Sequence, residues 1–131
     1  MALSTDDLVQ IQQLYARYNH AIDGGQADAW AATFTADGVF NSGQGEFAGT
    51  AALAQFAGGF AGQFKGKARH WTNNLVIDEA AGGAKGSCYL TLYTVGGEGG
   101  PKALVTGIYR DELKKGSDGW RFTKRAVTGD A

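Results

Sequence analysis

The 131-residue chain contains one cysteine, Cys88, and two histidines, His20 and His70. A lone cysteine cannot close an intrachain disulfide, so the fold must rest on its core. A reducing cytoplasm is the expected setting. Basic runs are missing too. Lys and Arg are scattered and the formal net charge is −1, so no cationic stripe awaits a phosphate backbone and no nucleic-acid partner is expected. No apolar stretch approaches the ~20 residues of a membrane span. The opening MALSTDDLVQ has neither a basic n-region nor an apolar h-region, so no secretory signal is expected. There is no GxSxG, CxxC or P-loop, and no GxGxxG between a strand and a helix. The glycines of GGQADAW and GGEGG read as turns rather than phosphate cradles. A metal site would require His20, His70, Cys88 and carboxylates to converge without any ligand-spaced motif, and none is expected.

What is present is enough for one domain, residues 1–131, with 44% hydrophobic residues. A chain of this length buries roughly two-thirds of its extended surface on folding. Ser4-Thr5-Asp6-Asp7 opens a first helix, with a hydroxyl to cap and aspartates suited to the positive end of the dipole. Leu8, Ile11, Leu14, Tyr15, Tyr18 and Ile22 recur at helical spacing, and Gly24-Gly25 ends the run. A short second helix fits Ala27 to Phe34, and Asp37-Gly38 turns into a brief strand, Val39 to Asn41. SGQGEFAG reads as a loop with room for a second brief strand. Thr50 then caps a third helix to about Phe64, in which Gly58, Gly59 and Gly62 are expected to allow close packing on a sheet. From residue 68, four long strands joined by glycine-rich turns make an antiparallel meander. There is no repeat or linker. Helices first and strands afterwards imply an α+β layer, the sheet curling round the helices and leaving a pocket at its open end.

Two residues stand out chemically. Asp23 ends the first helix, where the dipole disfavours an anion; that mismatch favours a functional role over a merely solvated one. His70 heads the strand ARHWTNNLVIDE. By alternation His70, Thr72, Asn74 and Val76 share one face, and Arg69, Trp71, Asn73, Leu75 and Ile77 the other. On the next strand Cys88, Leu90, Leu92 and Thr94 share a face, with Tyr89 and Tyr93 opposite. The residues leave open whether those tyrosines meet a second subunit or a pocket. A lone strand histidine is more often structural than catalytic. Apolar residues on both sheet faces predict a homodimer.

In order and spacing, LVQIQQLYARYNHAIDGGQADAWAATFTADGVF, ARHWTNNLVID and TGIYRDELKKGSDGWRFTKRAV resemble the SnoaL-like group of the NTF2-like, or cystatin-like, superfamily over nearly the whole chain. The resemblance implies a cone: helices packed in a strongly curved mixed or antiparallel sheet around an apolar cavity. Relatives include scytalone and bile-acid dehydratases, polyketide cyclases, ketosteroid isomerase and limonene epoxide hydrolase. Many work without metal or organic cofactor, and many dimerise through the outer sheet face. Aromatic-ring dioxygenase small subunits share the fold.

The dehydratases carry an aspartate at the end of the first helix and a histidine opening the first long strand, places matched by Asp23 and His70. The bile-acid dehydratases add a tyrosine five residues before that aspartate, matched by Tyr18. The second acid or histidine that these dehydratases place on the next strand is replaced here by Tyr93 or Thr94. Asn41 or Ser42 stands near the place of a dehydratase tyrosine. The resemblance implies a cofactor-independent lyase or isomerase, dehydratase-like, for a small apolar cyclic ligand such as a polyketide, terpenoid or steroid. Asp23 would fix the tautomer of His70, an imidazole able to take a proton near neutral pH, and Tyr18 would hydrogen-bond the enolate oxygen. Tyr15, Asn41, Phe56, Phe60, Asn74, Leu92, Thr94 and Tyr109 are the expected substrate-binding residues. The alternative is a non-catalytic ligand-binding or protein-interaction module on the same fold.

Overall fold

The first helix, α1 (Thr5–Asp23), starts at a capping box. Ser4 Oγ accepts from the Asp7 backbone N–H, and the Asp7 carboxylate accepts from the Ser4 N–H, both at 3.0 Å. The same carboxylate accepts from Lys115 Nζ at 2.8 Å and Trp120 Nε1 at 3.0 Å, so the cap also ties the helix start to the far end of the chain. A computed structural model describes residues 2–130. Ile11, Leu14, Tyr15, Tyr18 and Ile22 of α1 are buried as their spacing predicts. The helix stops at Gly24, and Gly25 takes a left-handed φ of 70°.

α2 spans only Ala27–Ala31, shorter than the expected run to Phe34. Thr33 explains the stop: its hydroxyl bonds back to the Trp30 carbonyl at 2.7 Å, while its own carbonyl accepts from Phe122 N–H. Phe34 therefore already belongs to β1 (Phe34–Asn41), and β2 (Glu46–Ala48) follows. In α3 (Thr50–Phe64) the N-cap is Gly49, without a side-chain bond, and Thr50 is the first helical residue rather than the cap. Gly58, Gly59 and Gly62 do not serve close packing. They are exposed, and a Cβ at each would meet nothing within 4 Å.

β3 (Ala68–Ala80), β4 (Gly83–Thr94), β5 (Lys102–Gly116) and β6 (Gly119–Gly129) form the antiparallel meander. β1 joins it in parallel along β6, giving one curved, open six-stranded sheet of order β2-β1-β6-β5-β4-β3. This is the α+β arrangement read from the residues, with the curved sheet that the resemblance implied. Its core is aromatic: Tyr18, Trp30, Phe34, Phe40 and Phe122 are all buried, with ring centroids 5.2–5.7 Å apart in the pairs Tyr18–Trp30, Tyr18–Phe122, Trp30–Phe34 and Trp30–Phe40. Such pairs add about 0.5–1.5 kcal/mol each beyond their area burial.

Two irregularities decide which side chains reach the interior. In β3 the pairing with β4 slips between Asn73 and Val76, and Asn74 adopts φ 56°. One extra residue inverts the alternation beyond it. His70 and Thr72 therefore share the inner face with Leu75 and Ile77, which pack on the core, while Asn74 and Val76 are exposed. This corrects the expected grouping of Asn74 and Val76 with His70. Between β5 and β6 the register slips at Glu112/Leu113, and Thr123 is the extra residue. Beyond it Arg125, not Lys124, points into the core, paired with Asp111.

Candidate active site

β3 is the last strand of the sheet, so alternate backbone N–H groups have no ladder partner. The end of α1 supplies one. The His70 backbone N–H donates to Asp23 Oδ2 at 2.9 Å, and His70 Nδ1 lies 2.6 Å from Asp23 Oδ1. One carboxylate thus holds both the strand and the ring. These bonds offset the unfavourable placement of an anion at a helix C-terminus. The two side chains are 8% (His70) and 12% (Asp23) exposed, so the pair is largely shielded from bulk water. With Nδ1 engaged by a carboxylate, the imidazole is oriented and Nε2 is the nitrogen left for chemistry.

The pair stands in the wall of a cavity of about 1070 Å³ between α1, the C-terminal half of α3, and β3. Phe60 faces the imidazole, their ring centroids 5.3 Å apart. Ile22 and Leu75 line it further in. Cys88 also lines it, and burial pushes its thiol up to about 11. Tyr15 reaches the same cavity, but its hydroxyl is given to Asp111 Oδ2. Gly86 makes that bond possible, because a Cβ there would sit 2.1 Å from the Tyr15 hydroxyl. Asn19 and Thr72 complete the polar lining, Asn19 Nδ2 donating to Thr72 Oγ1 at 3.0 Å. Among the described residues no three histidine, cysteine, aspartate or glutamate side chains converge.

Of the residues expected from sequence, Asp23, His70, Tyr15 and Phe60 meet around this cavity. Tyr18 does not. Five residues along a helix is a rotation of about 140°, so Tyr18 points away from Asp23 and into the core. There its ring lies 4.2 Å from the Arg125 guanidinium, and burial raises its phenol pKa. Tyr109 is buried against the same guanidinium at 3.6 Å. Asn41 ends β1, its side chain accepting from Gly43 N–H in the turn to β2. Phe56 packs on Phe47, Phe40 and Trp30, one α3 face away from the cavity. Leu92 is buried opposite His70 in the ladder, Thr94 closes β4 beside Ala68, and Asn74 is exposed at the bulge. None of these six lines the cavity.

Asn19 and Thr72 were missed, although the signal was there. Asn19 lies four residues before Asp23 and Thr72 two after His70, so each shares its partner's face. The buried Asp111–Arg125 pair was missed because it depends on the β5–β6 bulge.

The comparisons agree with this architecture. No curated protein sequence matches the chain. Aln2 from a Streptomyces species is 32% identical, with a TM-score of 0.88 over 97% of this chain and 93% of that one. A Catenulispora acidiphila protein, solved in complex with S-DNPA, is 29% identical, with a TM-score of 0.84 over 97% and 96% of the two chains. A Nostoc punctiforme protein of unknown function with a cystatin-like fold shares the fold at 24% identity, with a TM-score of 0.88 over 99% of this chain and 96% of that one. A family model described as a SnoaL-like domain matches residues 4–126. With that match spanning nearly all of an α+β chain built round an open cavity, the protein belongs to the SnoaL-like domain family.

Proposed function

We propose that the protein is a cofactor-independent lyase or isomerase that enolises a small, largely apolar cyclic ketone in this cavity. The observation that carries the reading is the doubly bonded Asp23–His70 pair in the cavity wall. Asp23 fixes Nδ1, and Nε2 is the base. It takes a proton from the carbon next to a carbonyl; the C–H electron pair becomes the new C=C π bond, and the carbonyl π pair moves onto the oxygen. If the imidazolium returns the proton to another carbon, the result is isomerisation. If a β-hydroxyl leaves instead, the imidazolium proton goes with it as water, and the result is dehydration. Either way the histidine ends neutral. The S-DNPA complex of the Catenulispora protein supports a small molecule as the occupant.

A second reading, a binding module without catalysis, is favoured by the inner face of β4. There Cys88, Leu90 and Leu92 supply no second acid or base. For either reading we propose a homodimer through the outer sheet face.

The test needs no natural substrate. Exchange of the acidic methylene protons of 2-tetralone in D₂O, followed by NMR, should run faster with the protein than in buffer, and H70A should abolish the gain. Equal rates for wild type and H70A would sink the catalytic reading. Binding without any acceleration would favour the module.

A further inference from the structure

Two cross-links join α1 to β3. Asp23 holds His70, and one turn earlier Asn19 holds Thr72. Helix and strand each advance about 6–7 Å between the two links, so the pairs stand side by side in one cavity wall. They differ in what they leave unused. An amide and a hydroxyl carry three polar hydrogens between them, and their mutual bond consumes one. At least one donor is therefore spare. Asn19 Oδ1 is buried out of the cavity's reach; Thr72 Oγ1 accepts from Asn19 Nδ2, so the hydroxyl hydrogen of Thr72 is a donor left over.

Enolisation creates a demand of matching shape. As the C–H bond breaks and its proton passes to Nε2, negative charge gathers on the carbonyl oxygen, and a fixed donor there is worth most. The phenol assigned to that task by resemblance, Tyr18, is in the core. Tyr15 has already given its hydrogen to Asp111.

We propose that Asn19 and Thr72 form the oxygen-binding subsite. The Thr72 hydroxyl donates to the carbonyl oxygen beside the carbon that His70 deprotonates, and Asn19 Nδ2, donating to Thr72 Oγ1, holds that hydroxyl in place. The ligand class is a cyclic ketone or its enol. The catalytic meaning of the subsite rests on the reading of His70 as base, but its binding content does not.

The experiment separates the two. Equilibrium dialysis of the full chain gives dissociation constants for 2-naphthol, which has the shape of the 2-tetralone enol, and for naphthalene, which lacks the oxygen. T72V should lower the naphthalene-to-2-naphthol ratio of dissociation constants about fivefold, the worth of one hydrogen bond between neutral groups. T72S should restore it, with naphthalene binding constant throughout as the check on folding and packing. A ratio unchanged in T72V, or no 2-naphthol binding by the wild type, overturns the subsite. A ratio that falls in T72V while H70A leaves 2-tetralone exchange untouched supports the subsite and removes only the base.

Discussion

The Asp23 carboxylate binds His70 twice, taking the backbone N–H at 2.9 Å and Nδ1 at 2.6 Å. Asp23→Asn keeps an acceptor for the backbone N–H but loses the charge that orients the ring. Ketone exchange should fall by about 10²–10⁴-fold with little loss of thermal stability, whereas Asp23→Ala should lower both. Exchange kinetics beside a melting curve for each variant would show it; an unchanged rate in Asp23→Asn removes the orienting role.

Arg125 and Asp111 are fully buried partners at 3.0 Å; Tyr15 donates to the other Asp111 oxygen and Arg125 Nη2 donates to Cys88 Sγ, while Arg125 Nη1 is buried without a hydrogen-bond partner. Burial pushes the Asp111 carboxyl up against the opposing pull of Arg125. Removing either partner alone strands a charge in the core and should cost about 3–5 kcal/mol. The double variant Asp111→Leu with Arg125→Met should lie much nearer wild type. Tyr15→Phe, which leaves one carboxylate oxygen unpaired, should cost about 1–3 kcal/mol. Urea denaturation at neutral pH measures all four.

Asp7 is held well below the usual carboxylate range by Lys115 first, then by the Ser4 backbone N–H and Trp120. A depressed folded pKa gives stability that is complete above the unfolded value of ~3.9 and fades as pH falls below it. Wild type should therefore lose more melting temperature between pH 7 and pH 3 than Asp7→Asn does. Equal losses would show that the cap is not part of the acid response.

Asn74 sits at φ 56° on an exposed bulge. Asn74→Val places a β-branched residue in the left-handed region and should cost about 1–2 kcal/mol, while Asn74→Gly should be close to neutral. Because the side chain is exposed, chemical denaturation reads the backbone effect almost alone.

Trp71 is 64% exposed on the outer sheet face, its ring centroid 4.9 Å from that of Tyr93, with Val76 and Tyr89 more than half exposed beside it. An apolar face of this kind predicts a homodimer at micromolar concentration and a monomer for Trp71→Arg. Sedimentation of a monomeric wild type would refute it.

Much of this was legible in the chain. The 3.6-residue period of Leu8 to Ile22, the hydroxyl and aspartates before it and the glycines after it define α1, because helix bonds and caps are local. The period-two strands and their glycine turns define the meander for the same reason. Asp23 and His70 stand out in the chain itself, as a charge in the wrong place and a lone histidine in a strand.

What only the tertiary structure decided is how those strands register. A bulge adds one residue to one strand, and its existence depends on the partner strand opposite. Every side chain beyond it then changes face. That is why Asn74 left the cavity face, why Leu75 joined it, and why Arg125 rather than Lys124 entered the core. Helix rotation likewise set Asn19, not Tyr18, beside the Asp23–His70 pair. The elements are local properties of the sequence; which side chains meet at the site is a property of their pairing.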